Sequence, residues 1–470
     1  MEDKKICIIA DNISNYRYIS DLSIRLSKKN AVTMVFINHS MDKDKSLIDL
    51  LDKNKIEQIY LEDIEVYTGC DDFTDEIHNI SYKIYTYLKK MNYDYIHFDD
   101  MNGIAFCSLQ SKKTTSNFEN TQITVSINNN TKYNLEKSNK LSANPIGDIK
   151  KIYFEKYSYK NADKLLLINE DFLKWCLSNN YELNVNNIIS LEEFIEYNVF
   201  NNLLKPKDNV KNKIQKQNPL VSVCVSHYNY GKYLPFTLES IKESSYENFE
   251  VIIVDDESDE EFSIETFKKL EKEYAGPNWK FFKKIHGGAS ETKNYAASQA
   301  KGEFLLFVDG DDIEFCDTIS AFLYGIYKSN SDCLTSYFQN FTGGGEMNKT
   351  NTGNTVIIPG PILELTAIEN VFGACNFMVK REVFHEIGGF PNKDRIYEDW
   401  AFFFRLNFLG YKMDTVPLTL FGYRRKDNSR SSTSNKVECL YNTVKYYYEF
   451  IPKHLINLFD ILIISNNNVF

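Results

Sequence analysis

The chain has 470 residues, of which 43% are hydrophobic and 25% are charged, and its formal net charge is -11. This length and this apolar content are ordinary for a globular protein of two or three domains. The acidic balance argues against a basic nucleic-acid groove and against a polybasic membrane anchor.

The nine cysteines are scattered without a Cys-x-x-Cys pair. This spacing indicates reduced thiols in a cytoplasm rather than a disulfide framework or a zinc site. The first apolar run, Ile6 to Ala10, is too short for a signal peptide, and no window reaches the roughly 18 apolar residues of a membrane span. The sequence therefore predicts a cytoplasmic protein and leaves peripheral contact with the inner face of a membrane open.

The first two hundred residues alternate short apolar runs with amphipathic stretches. Ile19, Leu22 and Leu26, for example, are spaced as on one face of a helix. Alternating buried strands and helices predict a doubly wound, Rossmann-like α/β domain over residues 1–200. The predicted strands are 6–10, 32–38, 95–98, 123–126 and 165–168, and the first predicted helix is 19–28.

Two segments of this domain are distinctive, residues 155–169 and the run Asp99-Asp100-Met101-Asn102-Gly103 that follows a predicted strand. They resemble the N-terminal half of B-type glycosyltransferases of the family 4 and glycogen-synthase kind. That group often has a functional histidine where this chain has Ser126, and the nucleotide-binding second half of a B-type enzyme is missing. We therefore expect a non-catalytic domain, in which His97 and the Asp99-Asp100 pair have structural or surface roles.

Residues 201–218 differ in composition from both flanks, because lysines are interleaved there with Asn, Gln and Pro206. Such sequence predicts a polar linker. It leads to a second α/β domain predicted over 219–435. Residues 436–470 are rich in Tyr, Phe, Leu and Ile and are predicted as a C-terminal helical segment packed on that domain, with a helix on a membrane surface as the alternative.

Three apolar runs of the second domain, 221–225, 249–254 and 304–308, end in polar side chains. Because the carboxyl ends of parallel strands meet at one edge of a sheet, these side chains should line one cleft. The third run ends in carboxylates, and Gly310 lets Asp309 and Asp311 face one point. Oxygen ligands of this kind suit Mg²⁺ or Mn²⁺ carrying a substrate phosphate.

Five ordered motifs lie between residues 219 and 432. They are Ser226-His227-Tyr228-Asn229, Asp255-Asp256-Glu257-Ser258-Asp259, Gly288 to Asn294, Asp309-Gly310-Asp311-Asp312 and Glu398-Asp399-Trp400. In this order the motifs resemble those of the family 2 glycosyltransferases, which have the A-type fold. The resemblance implies a nucleotide-diphospho-sugar transferase domain with the same fold.

The resemblance implies a donor side with a nucleobase pocket. A carboxylate at Asp256 would accept the imide N–H of a uracil ring, which favours a UDP-sugar. Tyr228 would stack on the base, and the alternative for this residue is a core aromatic. The implied donor-binding residues are Ser226, Tyr228, Asp256, Lys293, Asp309 and Asp311, and the implied ligands of Mn²⁺ or Mg²⁺ are Asp311 and Asp309.

Asp399 is the predicted general base. Transfer with inversion needs a carboxylate on the face opposite the leaving group, where it takes the proton of the acceptor hydroxyl. The alternative is an acidic residue that stabilises the dipole of the amphipathic helix that follows, with Phe403 and Leu406 on one face. Glu398 and Trp400 are the predicted supports of Asp399.

The other predicted acceptor or support residues are Asn376, Arg424 and Lys426. Asn376 lies in a glycine-containing segment that would allow close approach of a sugar ring. Family members commonly have a histidine where Lys426 stands, which puts metal ligation from this loop in doubt, although Lys or Arg could hold phosphate there. The Gly343-Gly344-Gly345 run is predicted as a mobile surface turn.

Together the motifs predict an inverting, metal-dependent hexosyl- or N-acetylhexosaminyltransferase that acts on a hydroxyl of a glycan, a lipid-linked carrier or a protein. Two alternatives stay open. One is a catalytically inactive sugar-binding or scaffold protein of glycan assembly. The other is a nucleotidyltransferase, which would be expected to have a glycine-rich, basic phosphate loop after its first strand, and Ser226-His227-Tyr228 is not such a loop.

Overall fold

A computed structural model describes residues 4–10, 17–37, 45–64, 76–99, 102–196, 210–366, 369–391 and 397–426, together with residues 448 and 453. The described residues up to 196 form one compact unit, and those from 210 onward form a second. Within these residues, no helix combines the length and the apolar character needed to cross a membrane.

The first unit is built on a seven-stranded sheet in which every pairing is parallel. The strands are β1 (Lys5–Ala10), β2 (Ala31–Phe36), β3 (Glu57–Tyr60), β4 (Tyr95–Phe98), β5 (Gln122–Ile127), β6 (Lys164–Leu167) and β7 (Ile188–Ile189). The helices are α1 (Arg17–Ser27), α2 (Lys45–Lys53), α3 (Glu76–Leu88), α4 (Phe106–Thr114), α5 (Thr131–Ser138), α6 (Pro145–Asn161), α7 (Glu170–Ser178) and α8 (Leu191–Glu196).

The strand order is β3-β2-β1-β4-β5-β6-β7. Strands β2 and β3 are added on one side of β1, and β4 to β7 are added on its other side, while all strands stay parallel. This arrangement is typical of a doubly wound, Rossmann-like sheet, because right-handed crossovers then place helices on both faces. Residues 6–10 and 95–98 are fully buried, as expected for strands covered on both sides. The predicted α/β class is therefore confirmed. The strand predicted over 32–38 ends at Phe36, and Asn38 lies outside the described residues.

His97 and Asp99 are buried in this unit. His97 Nε2 lies 3.2 Å from Ser126 Oγ, and Asp99 accepts a hydrogen bond from the Tyr18 hydroxyl. Burial lowers the pKa of His97 to about 3, so the ring is neutral at pH 7. These contacts agree with the structural interpretation of both residues, whereas Asp100 lies outside the described residues.

The second unit is built on a nine-stranded mixed sheet. Its strands are β8 (Val221–His227), β9 (Phe249–Asp255), β10 (Trp279–Lys283), β11 (Phe304–Asp309), β12 (Ile313–Glu314), β13 (Cys333–Phe341), β14 (Thr352–Val356), β15 (Phe377–Lys380) and β16 (Met413–Arg424). Its helices are α9 (Val210–Gln217), α10 (Leu234–Lys242), α11 (Glu261–Glu273), α12 (Ala289–Gln299), α13 (Thr318–Ser329), α14 (Arg381–Glu386) and α15 (Glu398–Phe408).

The sheet of the second unit has a parallel part and a mixed part. The order is β10-β9-β8-β11-β15-β13-β16-β12, with β14 paired to β13. Strands β10, β9, β8 and β11 are parallel, and β15 is antiparallel to β11. The apolar face of α10, formed by Leu234, Leu238 and Ile241, is buried against the parallel strands, as the helical spacing of these residues requires.

The predicted linker contains a helix that the sequence analysis did not predict. Residues 210–217 form α9, and Ile214 packs against the hydrophobic core of the second unit. Lys213 places its ammonium 5.1 Å from the ring centre of Tyr327. Six of the eight residues of α9 are polar, and Ile214 is the residue that packs against the core, so the composition of this segment predicted a linker and not a docked helix. Residues 201–209 lie outside the described residues, as does the predicted segment 436–470 apart from residues 448 and 453.

Candidate active site

The carboxyl ends of three neighbouring parallel strands form the candidate site of the second unit. Strands β9, β8 and β11 are adjacent, with Ser226 opposite Asp309 and His227 opposite Asp255. Ser226 Oγ donates a 3.1 Å hydrogen bond to Asp309 Oδ1. The polar motifs that follow these strands therefore meet at one edge of the sheet.

Asn229 and Ser258 hold the loop that carries Asp256. Asn229 has a left-handed backbone with φ 55°, and its Oδ1 accepts the N–H of Asp259 at 3.1 Å. Ser258 Oγ donates to Asp255 Oδ1 at 2.5 Å and accepts the N–H of Asn229 at 2.9 Å. The loop with the Tyr-Asn motif, after β8, and the loop with the Asp-Asp-x-Ser-x-Asp motif, after β9, are thus joined by hydrogen bonds.

Asp256 is 3% exposed, and four donors surround its carboxylate. Oδ1 lies 2.8 Å from Lys284 Nζ and accepts the N–H of Gly287 at 3.0 Å, while Oδ2 accepts the N–H of Gly288 at 2.9 Å and lies 2.9 Å from His286 Nδ1. Burial would raise the pKa of Asp256, but the hydrogen bonds to the carboxylate outweigh burial and lower this pKa below its ordinary value. A nucleobase N–H would have to displace one of these donors to reach the carboxylate.

Tyr228 and His286 form an exposed aromatic pair beside Asp256. Tyr228 is 38% exposed, and its ring centre lies 4.8 Å from that of His286. Tyr228 is therefore not a core aromatic. The motifs gave no role to His286 or Lys284, although the His-Gly-Gly run three residues after the end of the edge strand β10 was a signal that could have identified His286.

Lys293 joins the donor side of the site to the helix that carries the predicted base. It is 2% exposed, and its Nζ lies 3.0 Å from Asp309 Oδ1 and 2.8 Å from Glu398 Oε1. Burial would lower the pKa of Lys293, but the charges of Asp309 and Glu398 outweigh burial and hold this pKa well above its ordinary value. Lys293 therefore stays a cation between two carboxylates.

Asp399 lies in the first turn of α15, next to this lysine bridge. Its Oδ1 accepts the N–H of Trp400 at 2.8 Å. Burial and the charge of Glu398 raise the pKa of Asp399 to about 7, against the opposing charge of Lys293. Its neighbour in the chain, Glu398, binds Lys293, which in turn contacts Asp309 at the end of β11, so one lysine connects the start of α15 to that strand end.

The residues predicted to support Asp399 anchor its helix. Trp400 is 5% exposed and donates from Nε1 to the carbonyl of Thr366 at 2.8 Å.

Cys375 lies among the charged side chains of the site, and burial raises the pKa of its thiol well above the ordinary value. This agrees with a packing role for Cys375 rather than a nucleophilic one.

Asn294 ties α12 to the segment behind the site. It donates from Nδ2 to the carbonyl of Phe390 at 2.8 Å and accepts the N–H of Phe390 at 2.9 Å. Gly389 has φ 69°, and a Cβ there would lie 2.6 Å from Asn294 Oδ1, so glycine is required. The Lys-Asn pair of the third motif thus fixes two neighbouring parts of the site at once.

The acidic turn after β11 is paired with basic side chains of β16 and the residues that follow it. Lys426 Nζ forms an ion pair with Asp311 Oδ2, and the side chain of Asp311 is 10% exposed. Asp312 is 3% exposed and accepts the N–H of Arg424 at 3.0 Å. Burial and the charges of Asp311 and Asp309 raise the pKa of Asp312 well above its ordinary value. Asp312 is therefore a buried support of the turn.

Arg424 has a structural role in this site rather than the phosphate contact that the sequence analysis considered. The side chain is 2% exposed, Nε donates to the carbonyl of Asp311 at 2.7 Å, and Nη1 donates to the carbonyls of Gly343 and Gly345. Gly343 lies at the surface, as predicted for the Gly343-Gly344-Gly345 turn, and the guanidinium of Arg424 binds two carbonyl groups of this turn, a contact that the sequence did not indicate.

Asn376 is also a buried support rather than an acceptor contact. It is 1% exposed, and its Nδ2 donates to the carboxyl group of Glu314. Burial raises the pKa of Glu314 to about 8, so this partner is uncharged at pH 7. No motif identified Glu314, because its pairing with Asn376 spans 62 positions of the sequence.

A divalent ion at Asp311 fits the chemistry of the residues present. Among the described residues, no group of three or more His, Cys, Asp or Glu side chains could hold a metal ion. Mg²⁺, however, is commonly bound by one or two carboxylates together with substrate phosphates. Asp311 already binds one cation, the ammonium of Lys426. The side chains present can therefore provide one or two ligands of such an ion, and the phosphates would provide others.

Comparison with known proteins places a family domain on these motifs. The model described as "Glycosyl transferase family 2" matches residues 222–388, and the model described as "N-terminal domain of galactosyltransferase" matches residues 366–426. The chain is 28% identical over 242 residues to an uncharacterized glycosyltransferase of Haemophilus influenzae, covering 49% of this chain and 77% of that protein. It is also 28% identical over 223 residues to the glycosyltransferase GlyG of Streptococcus pneumoniae, covering 45% and 72%.

Among solved structures, the chain is similar to S. aureus TarS in complex with UDP-GlcNAc, with a TM-score of 0.39 and 22% identity over 48% of this chain and 64% of that chain. The B-type resemblance of the first unit stays a prediction.

The family model includes the strand ends that carry Ser226, Asp256 and Asp309, and both curated relatives are named glycosyltransferases. The C-terminal part of the chain therefore contains a family 2 glycosyltransferase domain.

Proposed function

We propose that the second unit transfers a sugar from a nucleotide diphosphate donor, with a UDP-sugar favoured, to a hydroxyl group of a glycan, a lipid-linked carrier or a protein. The proposed subtype is a hexosyl- or N-acetylhexosaminyltransferase of cell-surface glycan synthesis. We place this activity in the cytoplasm, with peripheral contact to the inner face of the membrane.

One observation carries this proposal. Lys293 contacts Asp309 at 3.0 Å and Glu398 at 2.8 Å, so a single buried cation links the donor-side strand end to the helix of Asp399. Transfer needs a donor site and a proton acceptor within reach of one sugar carbon. The lysine bridge supports this arrangement, because it holds both sides at a fixed spacing.

In the proposed reaction, the acceptor oxygen attacks the anomeric carbon as the bond from that carbon to the phosphate oxygen breaks. Asp399 takes the proton of the hydroxyl, and the nucleoside diphosphate leaves on the opposite face, which inverts the configuration. A raised pKa supports this role, since at pH 7 a base with a pKa near neutrality is deprotonated in a large share of the molecules and still binds a proton well.

Asp256, Tyr228 and His286 are the proposed nucleobase contacts. The exposed ring pair offers a stacking surface, and Asp256 offers an acceptor once His286 leaves its Oδ2. Asp311, together with Asp309, would hold Mn²⁺ or Mg²⁺. When bound, such an ion would offset the charge on the leaving diphosphate.

A panel of nucleotide sugars tests the proposal directly. We expect a UDP-sugar with Mn²⁺ to raise the Tm of the full chain by mass action and to be cleaved to the nucleoside diphosphate. The control is Asp309→Asn, in which the shift should be smaller. A panel in which no nucleotide sugar changes the Tm or is cleaved would favour a scaffold protein, and release of inorganic diphosphate would indicate a nucleotidyltransferase.

A further inference from the structure

The ammonium of Lys426 lies in a binding site formed by three side chains. It forms an ion pair with Asp311 Oδ2 and lies over the ring of Tyr230, 3.8 Å from the ring centre. The ring centre of Tyr233 is 5.1 Å away. Only 18% of the Lys426 side chain is exposed. A carboxylate and two aromatic faces together bind a monovalent cation well, so Lys426 is held in place rather than free in solvent.

Asp309 and Asp311 are the two acids that would face a donor diphosphate and its metal ion. Each is already paired with a lysine, Asp309 with Lys293 and Asp311 with Lys426. A divalent ion that approaches the nucleotide-free site therefore meets two carboxylates that already have a cation beside them, and at Asp311 the ammonium of Lys426 occupies the position of the ion. An ammonium group has no lone pair with which to ligate a metal, so Lys426 cannot share the ion as a ligand and can only repel it.

We propose that Lys426 and a divalent ion compete for the Asp311 carboxylate, so that the ion binds tightly only after a nucleotide diphosphate has added its own negative charge. This inference rests on the proposed function for the metal ion, but it concerns binding and not transfer. Lys426 then acts as a positioning residue that sets the order of binding. With the diphosphate bound, the ammonium can move from Asp311 to a phosphate oxygen and leave the carboxylate to the metal.

Titration of the full chain with Mn²⁺ by calorimetry, without nucleotide, tests this competition. Lys426→Met removes the charge and keeps most of the length of the side chain, and Lys426→Arg is the matched control that keeps the charge. We expect Lys426→Met to bind Mn²⁺ at least tenfold more tightly than the wild type, and Lys426→Arg to bind as the wild type does. Addition of UDP should tighten Mn²⁺ binding to the wild type by at least tenfold and should reduce the difference between wild type and Lys426→Met.

Equal Mn²⁺ affinity of the wild type and Lys426→Met would overturn the proposal. So would a double variant, Asp311→Asn with Lys426→Met, that keeps the tighter binding, because the ion would then lie elsewhere. If Lys426→Met does not fold, Lys426→Gln gives the same comparison. Since no sugar is transferred in this experiment, the competition can hold in a chain without transferase activity, and it can fail in a chain that transfers sugar.

Discussion

At the scale of single residues, the site depends on carboxylates whose surroundings differ. Asp256 is surrounded by donors that lower its pKa, whereas Asp399 is buried beside Glu398 and has a raised pKa. A carboxylate with a lowered pKa, such as Asp256, stays a hydrogen-bond acceptor, and one with a raised pKa, such as Asp399, can exchange a proton near pH 7. The two acids are therefore suited to different tasks, recognition and proton transfer.

The raised pKa of Asp399 predicts the pH dependence of turnover. A base must be deprotonated before it accepts a proton, so activity should rise with pH up to the pKa of about 7 and level off above it. Below that pKa, kcat/KM should fall about tenfold per pH unit. The measurement is kcat/KM for the donor from pH 5.5 to 8.5, and a rate that rises steadily on acidification would exclude a carboxylate base.

Asp256→Asn is expected to destabilise the loop at the end of β9. The amide would place an NH₂ group against donors such as the N–H of Gly287 and Gly288, and an unsatisfied buried group costs about 1–3 kcal/mol. Urea unfolding measures this loss. The control is Glu271→Gln on the exposed face of α11, which should change the free energy of unfolding by less than about 0.5 kcal/mol. If Asp256→Asn and Glu271→Gln are equally stable, the hydrogen bonds from Gly287 and Gly288 to Asp256 do not stabilise the loop.

At the scale of elements, α12 links two parts of the site that lie far apart in the sequence. Lys293 contacts the end of β11 and the start of α15, and the next residue, Asn294, makes two hydrogen bonds to Phe390. One helix therefore sets the spacing between the donor-side acids and Asp399. This explains why a Lys-Asn pair occurs in the motif between the two acidic strand ends.

Lys293→Met should be destabilising, because it leaves the largely buried carboxylate of Glu398 and the partly exposed carboxylate of Asp309 without a cation, at a cost of about 3 kcal/mol, the lower end of the range for a buried pair. The double variant with Glu398→Gln should lose at least about 1 kcal/mol less than the sum of the two single variants. The matched control is Lys242→Met, which removes an exposed partner of Glu239 and should cost at most about 1 kcal/mol. If the losses of free energy of unfolding in Lys293→Met and Glu398→Gln are additive, Lys293 and Glu398 do not stabilise each other.

At the scale of the whole molecule, the two units have different relations to the proposed activity. The family 2 model matches residues 222–388, which lie entirely in the second unit. Two buried polar residues of the first unit contact neighbours within its core, His97 through Ser126 and Asp99 through Tyr18. We expect the first unit to contribute no chemistry of its own.

The fragment 1–200 tests this division. It should release no nucleoside diphosphate from any nucleotide sugar that the full chain cleaves, because it lacks every acid of the candidate site. The assay compares the fragment and the full chain at equal concentration, after circular dichroism has shown that the fragment is folded. Turnover by the fragment would assign catalysis to the first unit.

Much of this architecture could be predicted from sequence because apolar runs and ordered motifs are local signals. The strand that ends at Asp309 and the helix that begins at Glu398 are examples. The pairing of Lys426 with Asp311 could not be predicted, since it depends on which of several cations reaches a carboxylate more than a hundred positions away. Helix α9 was missed for a related reason, because its docking depends on the surface it meets.

We propose that Asp399 and the acids at the strand ends form one transfer site. The most direct test is the rate of nucleoside diphosphate release by the wild type and by Asp399→Asn, with calorimetry to establish equal occupancy by the donor. For Asp399→Asn we expect donor binding within about twofold of the wild type and a rate reduced at least about a hundredfold, as expected for loss of a general base. Undiminished release by Asp399→Asn with the donor site filled would contradict it.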